Sequence, residues 1–503
     1  MPNIFPTTVQ LLVMGGDERI ALDTRRGVNR YGCGSTSDPE LHDFASSTAS
    51  VISAAAFQAA DHLRARLEKD IPHLAPATLY RRELSRLREE LLRLCALGDL
   101  PDPDIVFAAS GTDLHRIAAQ LARAASARPV LAIMVNESET GSGVFAAIND
   151  SHPGIEVLTV PLRETDGTPR HAKDIDAEFI VAAQQAYAAG YHVLLIQTDI
   201  SKTGMIAPSY GCTAALHRTL GTHLDVLIDA CQFRIAPATL RACLARGYSV
   251  ALTGSKFVGG PSFSGVLLIP AETAARLRTL PFPSELATFS AVADWPNNWP
   301  VQGILEASSN FGLLLRWEAA LYELRAFRAI PDADIACFLR AFAGSIQARL
   351  TDDPTLSPVA VPELDRSALL SEPCWDQIQT IFPFQLYRTD LSARHALDTE
   401  ETQRIYRNLP TIKPRCQLGQ PVNYGAGKNA LRLCLSARLI VRAAEHDGAC
   451  IIEQAQSALD QAIRLADSGS FKTFCTDTES NFTPEMISPG KNHGVANGGH
   501  NRF

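Results

Sequence analysis

Two stretches of the chain, Val226-Leu-Ile-Asp229-Ala-Cys-Gln232 and Ser249-Val-Ala-Leu-Thr-Gly-Ser-Lys256-Phe-Val-Gly-Gly-Pro261, carry the strongest structural signal in the sequence. Each begins with a short apolar run, which is typical of a strand that is covered on both faces of its sheet. Each run is followed by an ionisable side chain, Asp229 or Lys256, which needs a polar partner at the end of a buried strand. These stretches therefore predict two buried strands with chemically active groups at their carboxyl ends.

Five further apolar runs have the same character, and they begin at Ile105, Val130, Ile155, His192 and Gly265. The first five of the seven runs are separated by segments long enough for a crossover helix. This order predicts a mostly parallel, seven-stranded sheet in an α/β fold. The last run follows the one at Ser249 after only a turn, so it is free to run antiparallel.

The rest of the chain predicts helices and a second, smaller domain of the α+β class. Residues 38–98 have helical spacing, residues 270–304 are a Pro- and Trp-rich structured loop, and a long helix covers about 308–328. The predicted division is an N-terminal segment 1–34 packing with the small domain, a large domain 35–310, a linking helix and small C-terminal domain 311–468, and a flexible tail 469–503.

Composition excludes several classes of protein. The 503 residues are 46% hydrophobic and 20% charged, which is typical of a globular protein, and the net charge of −8 favours neither nucleic acid nor an anionic membrane surface. No apolar run reaches the roughly 18 residues of a membrane span. The apolar patch at 9–14 has no basic region before it, so we expect no signal peptide. Eleven scattered cysteines without a CxxC pair indicate free thiols in the cytoplasm and no metal site.

Three polar groups are predicted to converge, because ligands of α/β sheets bind beyond the carboxyl ends of the strands. Ser110-Gly111-Thr112 follows the first strand and opens a helix, where backbone N–H groups and a hydroxyl suit a phosphate, although the same residues also suit a helix cap. Asp229 and Lys256 follow two other strands. A phosphate site, a carboxylate and a lysine are together the groups that hold pyridoxal 5′-phosphate.

With these residues the sequence resembles the fold-type I pyridoxal-phosphate enzymes, in the class V aminotransferase branch that includes cysteine desulfurases and kynureninase. The resemblance covers about 100–440 and makes 35–310 the cofactor-binding domain. It implies that Asp229 binds the pyridine nitrogen, Gln232 the phenolic oxygen and Lys256 the aldehyde, as a Schiff base. It also implies that Gly111 and Thr112 form the phosphate turn, with Ser255 as a further phosphate ligand.

The resemblance implies roles for three further residues, each with an alternative. Ser201 is placed near the phenolic oxygen, or it caps a turn. Ser309 is placed to reach the cofactor phosphate of a neighbouring subunit, which implies a homodimer with shared sites, or it belongs to a helix cap. Glu139 lies where relatives carry a ring that stacks on the cofactor; there it, or Thr140, would contact the substrate, or the glutamate marks the start of a helix.

Two residues near the C-terminus complete the predicted site. Arg432 resembles the arginine that binds the substrate α-carboxylate, although a solvated position on its strand is the alternative. Cys416 is placed as a catalytic, sulfur-accepting nucleophile like that of one group of desulfurases, although with eleven cysteines its position also fits chance.

The sequence therefore predicts an enzyme that acts at Cα or Cβ of a small amino acid through an external aldimine, by a cysteine desulfurase-like or β-lyase-type reaction. The alternatives are an aminotransferase that releases a keto acid and a non-catalytic relative that only binds the cofactor. The joint presence of Lys256, Asp229, Gln232 and Arg432 argues against the non-catalytic alternative.

Overall fold

The computed structural model describes residues 5–389 and 394–467, and the predicted tail 469–503 lies outside the described residues. The helices are α1 Thr8–Leu12, α2 Ala54–Asp70, α3 Pro76–Leu94, α4 Gly111–Ala124, α5 Val144–Asn149, α6 Ala172–Ala188, α7 Tyr210–Leu220, α8 Pro237–Ala245, α9 Ala271–Leu277, α10 Phe311–Arg328, α11 Asp332–Asp352, α12 Thr399–Asn408, α13 Ala437–Glu445 and α14 Gly448–Asp467. None of these described helices is both long and apolar enough to span a bilayer.

The strands form two sheets. They are β1 His42–Phe44, β2 Asp104–Ala108, β3 Val130–Val135, β4 Ile155–Val160, β5 His192–Asp199, β6 Ile206–Ala207, β7 Leu224–Asp229, β8 Ser249–Thr253, β9 Gly265–Ile269, β10 Leu356–Pro358, β11 Ile381–Thr389, β12 Arg394–Ala396, β13 Cys416–Gly425 and β14 Lys428–Cys434.

The larger sheet contains all seven predicted strands, in the order β2-β9-β8-β7-β5-β3-β4, with the short β6 beside β5. The strands from β8 to β4 are parallel neighbours, whereas β9 runs antiparallel to both β2 and β8. The central strand β5 is buried along its whole length, as expected for a strand whose sheet is covered on both faces. The predicted α/β class, the strand positions and the direction of the last strand are confirmed.

The smaller sheet, in the order β1-β13-β14-β11-β10 with β12 beside β11, is mostly antiparallel. Its edge strand β1 comes from the N-terminal part of the chain and pairs in parallel with β13. The prediction of helix over 38–98 is therefore wrong for its first part, because the backbone of 42–44 makes sheet hydrogen bonds; helices begin only at Ala54. The predicted domain boundaries stay predictions, since both sheets belong to one unit, 1–467.

The segment 270–304 was expected to be a loop, and it contains α9 and two 3-10 turns. Trp295 and Trp299 anchor it: their side chains are buried in the core, with ring centroids 4.7 Å apart. Asp294 accepts a hydrogen bond from the hydroxyl of Tyr80 at 2.7 Å, which joins the segment to α3.

Close packing of α10 on the end of β8 requires glycine at two positions. A Cβ on Gly254 or on Gly260 would lie 2.6 Å from the Cβ of Ala320.

We expect Gly254→Ala to lower the free energy of unfolding by roughly 1–3 kcal/mol, because overpacking forces the backbone or the helix to shift. Gly344→Ala is the control, since a Cβ there meets open space within α11. The Gly344→Ala variant should instead raise the free energy of unfolding by roughly 0.5–1 kcal/mol. Equal changes in the two variants, measured by urea unfolding, would contradict the packing argument.

Candidate active site

The carboxyl ends of the parallel strands border a cavity of about 190 Å³. Its lining brings together most of the residues singled out in the sequence: Gly111, Thr112, Glu139, Asp229, Gln232, Ser255, Lys256 and Arg432. The same cavity is lined from the N-terminal segment by Arg19, Tyr31, Ser47 and Thr48. Three other predicted site residues, Ser201, Ser309 and Cys416, do not line this cavity.

The N-terminus of α4 forms one wall of the cavity. Ser110 caps the helix, since its Oγ accepts from the N–H of Asp113 at 3.2 Å while the Asp113 carboxylate accepts from the N–H of Ser110 at 3.1 Å. Arg19 approaches the same helix end and donates to Oγ1 of Thr112 at 3.3 Å. A Cβ on Gly111 would lie 3.0 Å from Sγ of Cys231, so glycine keeps this helix start close to β7. The result is a cluster of N–H, hydroxyl and guanidinium donors that suits a phosphate.

Asp229 lies at the end of β7 as a buried, ionised carboxylate. Its Oδ2 is 3.3 Å from Nε2 of His115 and 3.4 Å from Oγ1 of Thr140, and its Oδ1 accepts from the N–H of Cys231 at 3.2 Å. Burial alone would raise the pKa of Asp229, but the charge and hydrogen bond of His115, with the charge of Lys256, hold it well below its ordinary value. Asp229 is therefore available as a permanent negative charge in the cavity.

His115 is oriented by one contact within α4 and one with Asp229 at the end of β7. Its Nδ1 lies 2.7 Å from the carbonyl oxygen of Gly111, and its side chain is 1% exposed. Burial tends to lower the pKa of His115, yet the charge of Asp229 outweighs burial and the pKa is raised. The pair of His115 and Asp229 is thus a buried ion pair in which each partner stabilises the charged form of the other.

Lys256 follows β8, and hydrogen bonds to backbone oxygens fix the position of this part of the chain. Thr253 donates from its hydroxyl to the carbonyl oxygen of Cys231 at 2.6 Å, which ties the ends of β7 and β8 together. Ser50 donates to the carbonyl oxygen of Lys256 at 3.0 Å. Within the described residues, Nζ of Lys256 makes no hydrogen bond and no ion pair. A half-buried amine is thereby presented to the cavity without a competing partner.

Gln232 borders the cavity in a fixed orientation. Its Nε2 donates to the carbonyl oxygen of Ser47 at 3.1 Å, and its Oε1 accepts from Arg234 at 3.4 Å. Arg234 is itself buried and binds Ser46 and Thr380, so the amide is connected to the interface between the two sheets.

The carboxylate of Glu139 is occupied by other protein groups. It accepts hydrogen bonds from Arg163 at 2.9 Å, from Ser201 Oγ at 2.7 Å and from Thr203 Oγ1 at 2.8 Å. A 1%-exposed carboxylate that these three residues occupy positions its loop, so its predicted contact with substrate stays a prediction that this geometry does not favour. Ser201 has the alternative role of capping a turn, because its hydroxyl oxygen also accepts a hydrogen bond from the N–H of Met205 at 3.0 Å.

Arg432 is buried and pairs with no carboxylate among the residues that the structure describes. It donates to the carbonyl oxygens of Gln420 at 2.9 Å and Lys202 at 3.1 Å, and to Oγ1 of Thr48 at 2.9 Å. Burial lowers the pKa of Arg432 from its ordinary value. A buried guanidinium whose hydrogen-bond partners are all neutral would be stabilised by an anion bound in the adjoining cavity.

Cys416 and Ser309 lie away from the cavity. Cys416 begins β13, where its side chain is 2% exposed within the main core, and burial raises the pKa of its thiol to about 12. This environment is the opposite of the one that activates a cysteine nucleophile, so the predicted catalytic role of Cys416 is not supported by its position. Ser309 precedes α10, whose cap is Asn310, with Oδ1 accepting from the N–H of Leu313 at 2.9 Å.

Sequence reasoning missed three basic residues of the cavity: Arg19, His115 and Lys202. Lys202 follows a buried strand, and the rule that selected Lys256 would have selected it too. His115 lies one helical turn after Gly111, where a histidine among apolar neighbours is a usable signal. Arg19 carries no local signal, because it is 91 residues from Ser110 in the sequence and reaches the cavity only through the fold.

No protein-family model matches the chain, and no curated protein matches it. Solved structures do resemble it. Among them are the cysteine desulfurase CsdA of Escherichia coli (16% identity, 84% of this chain and 94% of that chain, TM-score 0.53), TDC of Oryza sativa with PLP and tryptamine (14%, 85% and 83%, 0.52) and mouse CSAD (16%, 85% and 84%, 0.51). The chain therefore has the α/β fold of the fold-type I pyridoxal-phosphate enzymes, as predicted. At these identities the likeness concerns the fold alone.

Proposed function

We propose that the cavity binds pyridoxal 5′-phosphate and that the protein is an enzyme acting at Cα or Cβ of a small amino acid. The observation that supports this most strongly is the convergence of three groups from separate strands on one cavity: the N-terminus of α4, the carboxylate of Asp229 and the free amine of Lys256. The same fold carries PLP in the solved Oryza sativa TDC.

The residues present fit this cofactor. The donors at Ser110, Gly111 and Thr112, with Arg19 and Ser255, suit its phosphate, and the glycine keeps the helix end open to it. Asp229 is buried and ionised, as the protonated pyridine nitrogen requires. Asp229 lines the cavity and His115 approaches only its Oδ2, at 3.3 Å, so a carboxylate with two oxygens has capacity for a second cationic donor.

Each residue then has a defined role. When bound, the cofactor supplies an electron sink for a carbanion at the substrate Cα. Asp229 holds a proton on the pyridine nitrogen, and His115 keeps Asp229 ionised. Lys256 provides the amine that holds the aldehyde carbon and, once released, moves a proton at the substrate Cα. Arg432 binds the substrate α-carboxylate, which orients Cα toward Lys256.

For the reaction itself we propose a β-lyase-type cleavage at Cβ. A persulfide route through Cys416 is disfavoured by the burial of its thiol. The predicted homodimer also stays a proposal: Ser309 contacts no part of this chain's cavity, and a role toward the cofactor phosphate of a second copy requires the dimer.

The test is a substrate screen on purified protein mixed with pyridoxal 5′-phosphate. We expect a yellow, protein-bound cofactor whose visible absorption changes when an amino-acid substrate is added. Cysteine, alanine, aspartate and kynurenine are tried in turn, with products identified by mass spectrometry. Release of the Cβ substituent supports the lyase, and a keto acid with stoichiometric pyridoxamine phosphate would show an aminotransferase instead. Protein that binds no cofactor would overturn the proposal.

Arg19 gives a separate prediction on cofactor affinity. Its guanidinium supplies charge-assisted hydrogen bonds at the helix end, so we expect Arg19→Gln to weaken cofactor binding by roughly tenfold. Equilibrium dialysis of pyridoxal 5′-phosphate measures the dissociation constant. Arg25→Gln is the matched control, because Arg25 is exposed in the same segment. Equal affinity of the Arg19 variant and the control would contradict a phosphate role.

A further inference from the structure

The charges around the cavity do not balance. Besides His115, the cations of its lining are Arg19, Lys202, Lys256 and Arg432, and the carboxylates are Asp229 and Glu139. Both carboxylates are already matched by cations, Asp229 by His115 at 3.3 Å and Glu139 by Arg163 at 2.9 Å. The cavity therefore has an excess of positive charge that its own carboxylates do not neutralise.

The proposed function accounts for three of the four cations. Arg19 is paired with Asp17 at 2.5 Å and faces the phosphate cluster. Lys256 holds the cofactor, and Arg432 holds one carboxylate of the substrate. Lys202 remains without a role, and in the described residues it forms no ion pair within 4.0 Å.

Lys202 lies beside Arg432 at the end of β5. Its backbone is fixed on both sides: its N–H donates to the carbonyl oxygen of Glu139 at 2.8 Å, and its carbonyl oxygen accepts from Nη1 of Arg432 at 3.1 Å. Its Nζ donates to the carbonyl oxygen of Glu137 at 2.9 Å, which leaves two of its three N–H groups unused. Lys202 and Arg432 thus both line the cavity, joined by a hydrogen bond, and neither forms an ion pair with a described residue.

Electrostatics support a bound anion at this place. Burial, then the positive charges of Arg432 and Lys256, lower the pKa of Lys202 to about 8. An anion between Lys202 and Arg432 would offset both the cost of burying their charges and the repulsion between them, because buried charges are stabilised when they are paired.

We propose that Lys202 binds a second anionic group of the substrate, so that the substrate is an α-amino acid with an acidic side chain. Arg432 takes the α-carboxylate and Lys202 the side-chain acid. This inference rests on the proposed function, because it assigns the substrate class of the same site. Lys202 is a specificity-determining residue in this arrangement.

The test compares acids with their uncharged isosteres. Aspartate and asparagine, and glutamate and glutamine, are titrated into cofactor-loaded protein, and dissociation constants are taken from the visible spectrum. We expect one acid to bind about tenfold or more tightly than its amide. Lys202→Gln should remove this preference while leaving the affinity for the amide within about twofold, and Lys202→Arg should keep it. Lys173→Gln, an exposed lysine on α6, is the control.

Two results would overturn the assignment. One is wild-type protein that binds acid and amide equally. The other is a Lys202→Gln variant that weakens acid and amide alike, which would place Lys202 on the α-carboxylate or on the cofactor.

Failure of the proposed function gives a different pattern. If no cofactor binds, calorimetry of maleate against acetate on the unloaded protein still tests the anion site. Maleate binding that Lys202→Gln weakens about tenfold supports the paired cations, and equal binding of the two anions overturns them.

Discussion

Lys256→Ala is expected to abolish covalent cofactor attachment and to reduce turnover by at least about 10³-fold. The reason is that Lys256 presents the free amine at the cavity end of β8, and in the proposed function the same amine would move the proton at the substrate Cα. Attachment is measured by visible absorption and, after borohydride reduction, by mass spectrometry of the modified peptide.

The control for this variant is Lys173→Ala, which changes an exposed lysine far from the cavity lining. Far-ultraviolet circular dichroism and urea unfolding should show that both variants are folded. Cofactor fixed on another lysine, Lys202 above all, or full colour in Lys256→Ala, would contradict the assignment of Lys256.

Asp229→Asn is expected to lower turnover by about 10²-fold or more while the cofactor still binds, because the variant loses the charge that holds the proton on the pyridine nitrogen. The pKa of Asp229 lies below its ordinary value, so the carboxylate is ionised at neutral and mildly acidic pH. Its stabilising contribution is therefore present at neutral pH and is lost only as the pH falls through that lowered pKa. Wild-type turnover should show no loss attributable to Asp229 between about pH 5 and pH 7.

Asp225→Asn is the matched control for this second variant. Asp225 lies on the same strand and pairs with His192 and Arg276, outside the cavity. Turnover near the wild-type value in Asp225→Asn, with a large loss in Asp229→Asn, supports the role of the charge. If turnover and the free energy of unfolding fall by comparable amounts in the two variants, Asp229 has a structural role only.

The strands of the larger sheet were predictable because their apolar runs reflect burial on both faces, which is a local property of the sequence. The strand β1 was not predictable. Residues 42–44 form a strand only because β13, more than 370 residues later, offers hydrogen-bonding groups to their backbone. Local spacing cannot reveal such a partner, and the same limit explains why the helix predicted from residue 38 begins at Ala54.

The residues of the candidate site likewise fall into those that local sequence could identify and those whose surroundings only the fold reveals. Asp229, Gln232, Lys256 and the turn at Ser110 were identified because they directly follow apolar strands, and parallel strands bring their carboxyl ends to one edge. Cys416 and Glu139 were assigned chemistry that their surroundings do not support. A thiol buried in the core and a carboxylate held by three donors can be recognised only when their neighbours are known.

The amino-acid pattern alone therefore determined the α/β class and the strand positions and predicted the three groups proposed to hold the cofactor, since hydrophobic periodicity and strand-end positions are encoded over a few neighbouring residues. Folding in three dimensions established which charges are compensated. Arg19 reaches α4, His115 faces Asp229, and Lys202 is hydrogen-bonded to Arg432 with no counter-ion among the described residues, because electrostatic balance depends on distances between residues that are far apart in the chain.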